Sequence, residues 1–269
     1  MYVQGMTTEV PLDTVLSASR LPRWRLVRAI VSAAMLLAAA AALLVASLQR
    51  WVWAADLGTF SALVTEDHQS LIEDHLYDFV VPADPWQNVG QAAQLSGVAF
   101  LLLAAGALCL TAACASKRWI SPGSWLIALA VSIPFGLIGV HGLLSGLSDA
   151  PSSLELIASS PLLIVIQLPG IVALAVIAAR RSAAWTAAAI LLSGATLPGY
   201  LVATFMIAPV FAGGTSYDTT RWTETVVAAS IALAGIAVAV GVATGHRRFV
   251  DRLSAEPRQP TRAPQVSES

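Results

Sequence analysis

The triplet Glu-Asp-His occurs twice in this chain, at Glu66-Asp67-His68 and at Glu73-Asp74-His75. Imidazole and carboxylate are the side chains that ligate metals and move protons near neutral pH. Seven residues is nearly two helical turns, so on one helix the two imidazoles share a face about 10 Å apart. A single ion holds its ligand atoms at about 2 Å, so the pair cannot close one site on a straight helix. Each histidine can instead be one ligand of a site completed by another element. Asp74 and Asp78, at i and i+4, can approach one cation from the solvent side. With His141 these form the candidate metal set: His68, His75, His141, Asp74 and Asp78. The plainer reading is a solvated acidic face with two histidines packed at its border.

The element expected to carry them is an amphipathic helix over 65–80. Thr65 reads as its N-cap, and Glu66 and Asp67 face the positive end of the helix dipole. Stepping 100° per residue puts Glu66, Glu73, Asp67, Asp74, Asp78 and Tyr77 on one side. Leu71, Ile72, Leu76 and Phe79 fall on the other.

The remainder reads as a membrane bundle. The chain is 57% hydrophobic and 12% charged, half the charge of a soluble domain. Long apolar runs at 27–49, 91–114, 125–146, 161–179, 184–212 and 223–244 predict six transmembrane helices. The expected fold class is therefore all-α, a polytopic integral membrane protein with the amphipathic helix outside, between the first and second spans. Residues 1–26 form an N-terminal tail, 27–245 the membrane domain with its external loop 50–90, and 246–269 a disordered C-terminal tail. Thirteen of the fifteen basic residues flank one side of the spans. Only Arg50 and Arg221 fall on the other, which predicts a plasma-membrane orientation with both termini cytoplasmic. Fourteen arginines against one lysine, with many alanines, point to a GC-rich bacterial genome. Trp24, Trp119, Trp125 and Trp185 mark inner span ends, and Trp51, Trp53, Trp86 and Trp222 outer ones, as an aromatic belt would. Cys109 and Cys114 point about 140° apart on a helix and do not pair.

Within the spans the polar exceptions share a depth. His141, Gln167 and Tyr200 all fall in the outer half of a core about 30 Å thick. With His68 and His75 above them, they make up the candidate outward-facing polar site. Pro134, Pro169 and Pro198, each beside a glycine, predict kinks in three successive spans. Small-residue stripes at Gly139, Gly142 and Gly146, and at Gly235, Ala239 and Ala243, predict close helix approach, within the chain or between copies.

No catalytic residue and no cofactor is named by these patterns. Phosphate-loop, zinc-protease and nucleophile-elbow motifs are missing, and nucleic acid finds no basic surface beyond the topological flanks. Three functions fit. The first is a non-enzymatic accessory, assembly or sensing component whose acidic helix meets a membrane-protein partner, or a second copy, at the lipid bilayer. The second is a small permease or channel-like protein using the kinked spans. The third is a membrane-embedded metal-dependent enzyme joining His68 or His75 to His141.

Overall fold

A computed structural model describes residues 23–53, 74–115, 122–214 and 218–255, with side chains described to Thr244. These residues are all helix, turn and loop, with no strand among them. The long helices are α1 (Arg23–Leu48), α2 (Ala92–Cys114), α3 (Pro122–Ser148), α5 (Pro161–Ala179) and α9 (Thr223–Ala255), with a one-turn α4 at Glu155–Ala158. The segment predicted as one span at 184–212 is broken into α6 (Ala183–Leu191), α7 (Leu197–Val202) and α8 (Ala208–Ala212). Among the described residues five helices are long and apolar enough to cross a membrane. A sixth crossing results if the two halves of the broken segment, which meet at 76°, count as one.

Helix starts follow side-chain chemistry. The Ser160 hydroxyl accepts from Leu162 N–H at 3.3 Å, with Pro161 at the first helical position where no donor is needed. Ser182 does the same for α6, accepting from Ala184 N–H at 3.2 Å.

The helices pack in a closed ring in chain order: α1 on α2, α2 on α3, α3 on α5, α5 on α6, α6 on α9, and α9 back on α1. Lipid is as apolar as leucine, so close packing and interhelical hydrogen bonds hold such a ring together. The glycine stripe of α3 acts inside the chain. A Cβ on Gly139 would stand 2.8 Å from Leu101 N and 2.9 Å from Gly97 O of α2. Gly235 does the same for α9 on α1, where a Cβ would stand 3.0 Å from Leu37. Ser32 Oγ donates to Gly106 O at 2.8 Å across α1 and α2. Ser47 and Thr225 share a hydrogen bond of 2.8 Å across α1 and α9.

Of the three predicted proline kinks, only Pro198 breaks its helix; α3 and α5 run on through Pro134 and Pro169. At the break the Thr196 hydroxyl accepts from Gly199 N–H at 3.3 Å and donates to Ser193 O at 2.6 Å. A side chain at 199 would collide with Ser193 O, so the chain can make this bend only through a glycine. At the C-terminal end α9 continues to Ala255, so 246–255 are helical where a disordered tail was expected. The predicted helix over 65–80 lies outside the described residues up to 73. From Asp74 onward it is a single 3-10 turn, His75–Tyr77, followed by extended chain.

Tryptophan is less uniformly a belt than expected. Trp53 and Trp125 are well exposed, but Trp51, Trp86 and Trp185 are buried. Trp185 Nε1 donates to Val238 O at 3.2 Å and so ties α6 to α9.

Candidate functional site: a buried charge cluster and the cavity beside it

Directly after α1 the backbone widens into a π turn, Gln49–Trp53, in which Arg50 and Trp51 are buried. Arg50 and Glu224 are both fully buried. Arg50 Nη1 meets Asp78 Oδ1 at 2.5 Å and Glu224 Oε1 at 3.1 Å. Its other amine donates to the Asp74 carbonyl at 3.2 Å, and its guanidinium lies over the Trp51 ring, 4.4 Å from the centroid. Glu224, in the first turn of α9, also accepts from Trp51 Nε1 at 2.6 Å and from Tyr200 OH at 3.4 Å. The Thr219 hydroxyl donates to Asp78 at 2.8 Å to Oδ1 and 3.1 Å to Oδ2. This cluster ties α1, α7, α9 and the loop after residue 73 into one unit.

Among the described residues one guanidinium faces two carboxyls, and two desolvated acids beside one cation favour further positive charge. Burial pushes the Asp78 carboxyl up from its ordinary 3.8 to about 6; Arg50 opposes that shift and Glu224 adds to it. Asp78 keeps 24% of its side chain accessible, and it lines a cavity of about 330 Å³.

The cavity lies between α3, α5, the broken segment and the loops at 78–81 and 218–219. Its walls are mainly apolar, with Phe100, Ile138, Leu163, Leu201 and Phe205 facing in. Two polar groups in the wall find no partner among the described residues: the Gln167 amide nitrogen and the Thr204 hydroxyl. Both residues are 3% exposed. Buried polar atoms are nearly always paired, so each such orphan calls for an explanation.

The residues picked out by sequence fall in three places. Gln167, Tyr200 and Asp78 come together at the cavity. His75 stands apart and exposed, its Nδ1 2.9 Å from Asp74 Oδ1 and 3.3 Å from Asp218 Oδ2. One ligand atom from each of these three residues lies within 4.8 Å of the others, a spacing that suits a divalent cation. Their hydrogen bonds are also met without one, since His75 N–H donates to Asp218 at 2.6 Å and Asp74 Oδ1 accepts from Leu76 N–H at 2.9 Å. Asp78 does not share a cation face with Asp74, because it turns inward to Arg50. His68 lies outside the described residues.

His141 joins neither group. Its Nε2 is 2.8 Å from the Pro82 carbonyl and its Nδ1 2.7 Å from Ser152 Oγ. A carbonyl only accepts, so Nε2 carries the proton and Nδ1 accepts from serine. Both ring nitrogens are thus spent on pinning the loops at Pro82 and Ser152 to α3, which leaves no lone pair for a metal.

Comparison with known protein families, with curated proteins and with solved structures finds no match to this chain. The chemistry of the site therefore carries the functional argument alone. Arg50, Trp51, Thr219 and Glu224 were not anticipated as site residues. The available signal was Arg50 itself, one of only two basic residues on the acidic side of the spans.

Proposed function

We propose that this chain is a non-enzymatic, six-span plasma-membrane protein, both termini cytoplasmic, which receives a small ligand in its outer cavity as a sensing or accessory component. The observation that carries this reading is the pair of buried, unpartnered groups, Gln167 and Thr204, in the wall of an otherwise apolar cavity. A cavity of about 330 Å³ sits at the lower end of the range for small-molecule sites. Apolar walls with a few convergent polar groups are the usual make-up of such sites. The Arg50 cluster supports a receiving role, because a ligand touching Asp78 or Tyr200 touches the joint between α1, α7 and α9. A membrane-protein partner, or a second copy, would read the result at the acidic outer surface around Asp74 and Asp218. Orientation rests on the basic residues, thirteen of fifteen on the inner side.

A carrier function is the second reading, and the break at Thr196 favours it. Thr196 lines both this cavity and another of about 330 Å³ across the break, beside Ser193 and Ser230. Broken helices at mid-membrane sites are a recurring device of transporters. Against it, Phe135, Val131, Leu174, Leu192 and Trp185 are all buried in the core of the ring.

The test is access. A Thr204→Cys variant, with Cys109 and Cys114 replaced by alanine, is treated on intact cells with a membrane-impermeant maleimide. Labelling from outside, suppressed by Leu201→Trp at the cavity wall, is the expected result. Labelling that requires permeabilised cells would overturn the outward-facing reading.

A further inference from the structure

The cavity's own chemistry narrows its ligand, an inference that rests on the binding function proposed above. At the outer end stand Asp78 and Asp218, both lining the cavity, with 24% and 38% of their side chains accessible. Asp78 Oδ1 is taken by Arg50 at 2.5 Å and Thr219 at 2.8 Å, whereas Oδ2 has only the longer 3.1 Å contact from Thr219. That oxygen is the less occupied acceptor of a cluster that holds two acids and one guanidinium among the described residues. Elsewhere in the wall the Gln167 amide and the Thr204 hydroxyl await a polar partner. Phe100, Ile138, Leu163, Leu201 and Phe205 supply the apolar surface of the same cavity. Leu201 and Phe205 are each half exposed, so apolar surface lies open where they line the cavity.

We propose that the cavity takes a small cationic amphiphile: a protonated amine placed at Asp78 Oδ2, an apolar body along the walls, and a hydroxyl or carbonyl at Gln167 or Thr204. An anion would meet two carboxylates at the mouth. A neutral apolar molecule would leave both the surplus acid and the two orphaned groups unmet. At roughly 30 Å³ per water-sized unit, about 330 Å³ holds roughly ten heavy groups, close to an eight-carbon amine.

The test is equilibrium binding of tritiated octylamine to the detergent-purified full chain by scintillation proximity, with octanol and octanoate as competitors. Octylamine is expected to bind best and octanoate worst. Asp78→Asn should weaken octylamine at least ~10-fold, one lost charge contact, while leaving competition by octanol within about threefold. Leu201→Trp should abolish binding of every probe. If octanol equals octylamine in the wild type, the cationic assignment is wrong and the binding cavity stands. If no probe binds the wild type, the binding function falls with it. Selectivity among the three probes is read on the wild type, so the test remains decisive even if Asp78→Asn fails to fold.

Discussion

Removing Arg50 should damage this protein more than removing either acid it holds. In Arg50→Met, Glu224 keeps its hydrogen bonds from Trp51 and Tyr200 but loses its only ion-pair partner among the described residues, at full burial. An uncompensated buried charge costs about 3–5 kcal/mol. Asp78 loses its 2.5 Å contact as well, though its side chain is 24% accessible, which softens that part. For a domain near this size each kcal/mol moves Tm by about 2–4 °C, so a fall of about 6–20 °C is expected. The assay is thermal unfolding of the purified protein followed by tryptophan fluorescence, at one detergent and one heating rate. The double variant Arg50→Met/Glu224→Gln separates charge from bulk. With the acid neutralised, at least about 2 kcal/mol of the loss should return, because the two residues form one coupled network. A single-variant shift under about 2 °C would refute the reasoning, as would a double variant no better than the single.

Three further outcomes follow from the same geometry. The folded Asp78 carboxyl, near 6, lies above its ordinary 3.8; the folded state therefore holds more protons between those values, and this contribution to stability falls as pH rises from 3.8 to 6 and is flat above. Comparing the Tm of wild type and Asp78→Asn from pH 4 to pH 8 should show that difference, and parallel curves would contradict it. His141→Ala removes hydrogen bonds of 2.8 and 2.7 Å and leaves the Pro82 carbonyl without its donor. The cost should be about 2–3 kcal/mol, with faster hydrogen exchange confined to the loops near 80–84 and 150–154, and uniform exchange changes would point elsewhere. Gly139→Val places a side chain against the Leu101 and Gly97 backbone; a cost of about 1–3 kcal/mol, seen as lower Tm and monodisperse yield, is expected, and a neutral effect would mean that α2 and α3 do not approach this closely.

Much of the frame could be read from the sequence, because hydropathy and length constrain a membrane helix one segment at a time. The break at Leu197-Pro198-Gly199 and the close approaches at Gly139 and Gly235 were similarly local. The site was less legible because its parts are distant. Arg50, Asp78, Thr219 and Glu224 meet only through the ring of helices, and each alone resembles a residue at a span end. Glu224 sits at the very start of its apolar run, where an acid passes for a boundary marker. The amphipathic pattern at 74–80 misled for a physical reason: tertiary bonds took the backbone groups a helix would have used. Leu76 O accepts from Gln87 N–H at 2.7 Å and His75 N–H goes to Asp218 at 2.6 Å. Phe79 and Val80 are nonetheless buried, as their apolar character required. His141 drew attention as a rare histidine within a span, and that rarity reflects its use as a two-sided clamp on loops.

The central claim is that the outer cavity exists to be filled. Its most direct test is an electron cryo-microscopy map of the protein in lipid nanodiscs, at a resolution that separates side chains. The account predicts non-protein density between Asp78 and Gln167, within hydrogen-bond distance of the amide or of Thr204. A map in which the segments on either side of Thr196 close on α5, with Gln167 bonded to a neighbouring helix, would contradict it.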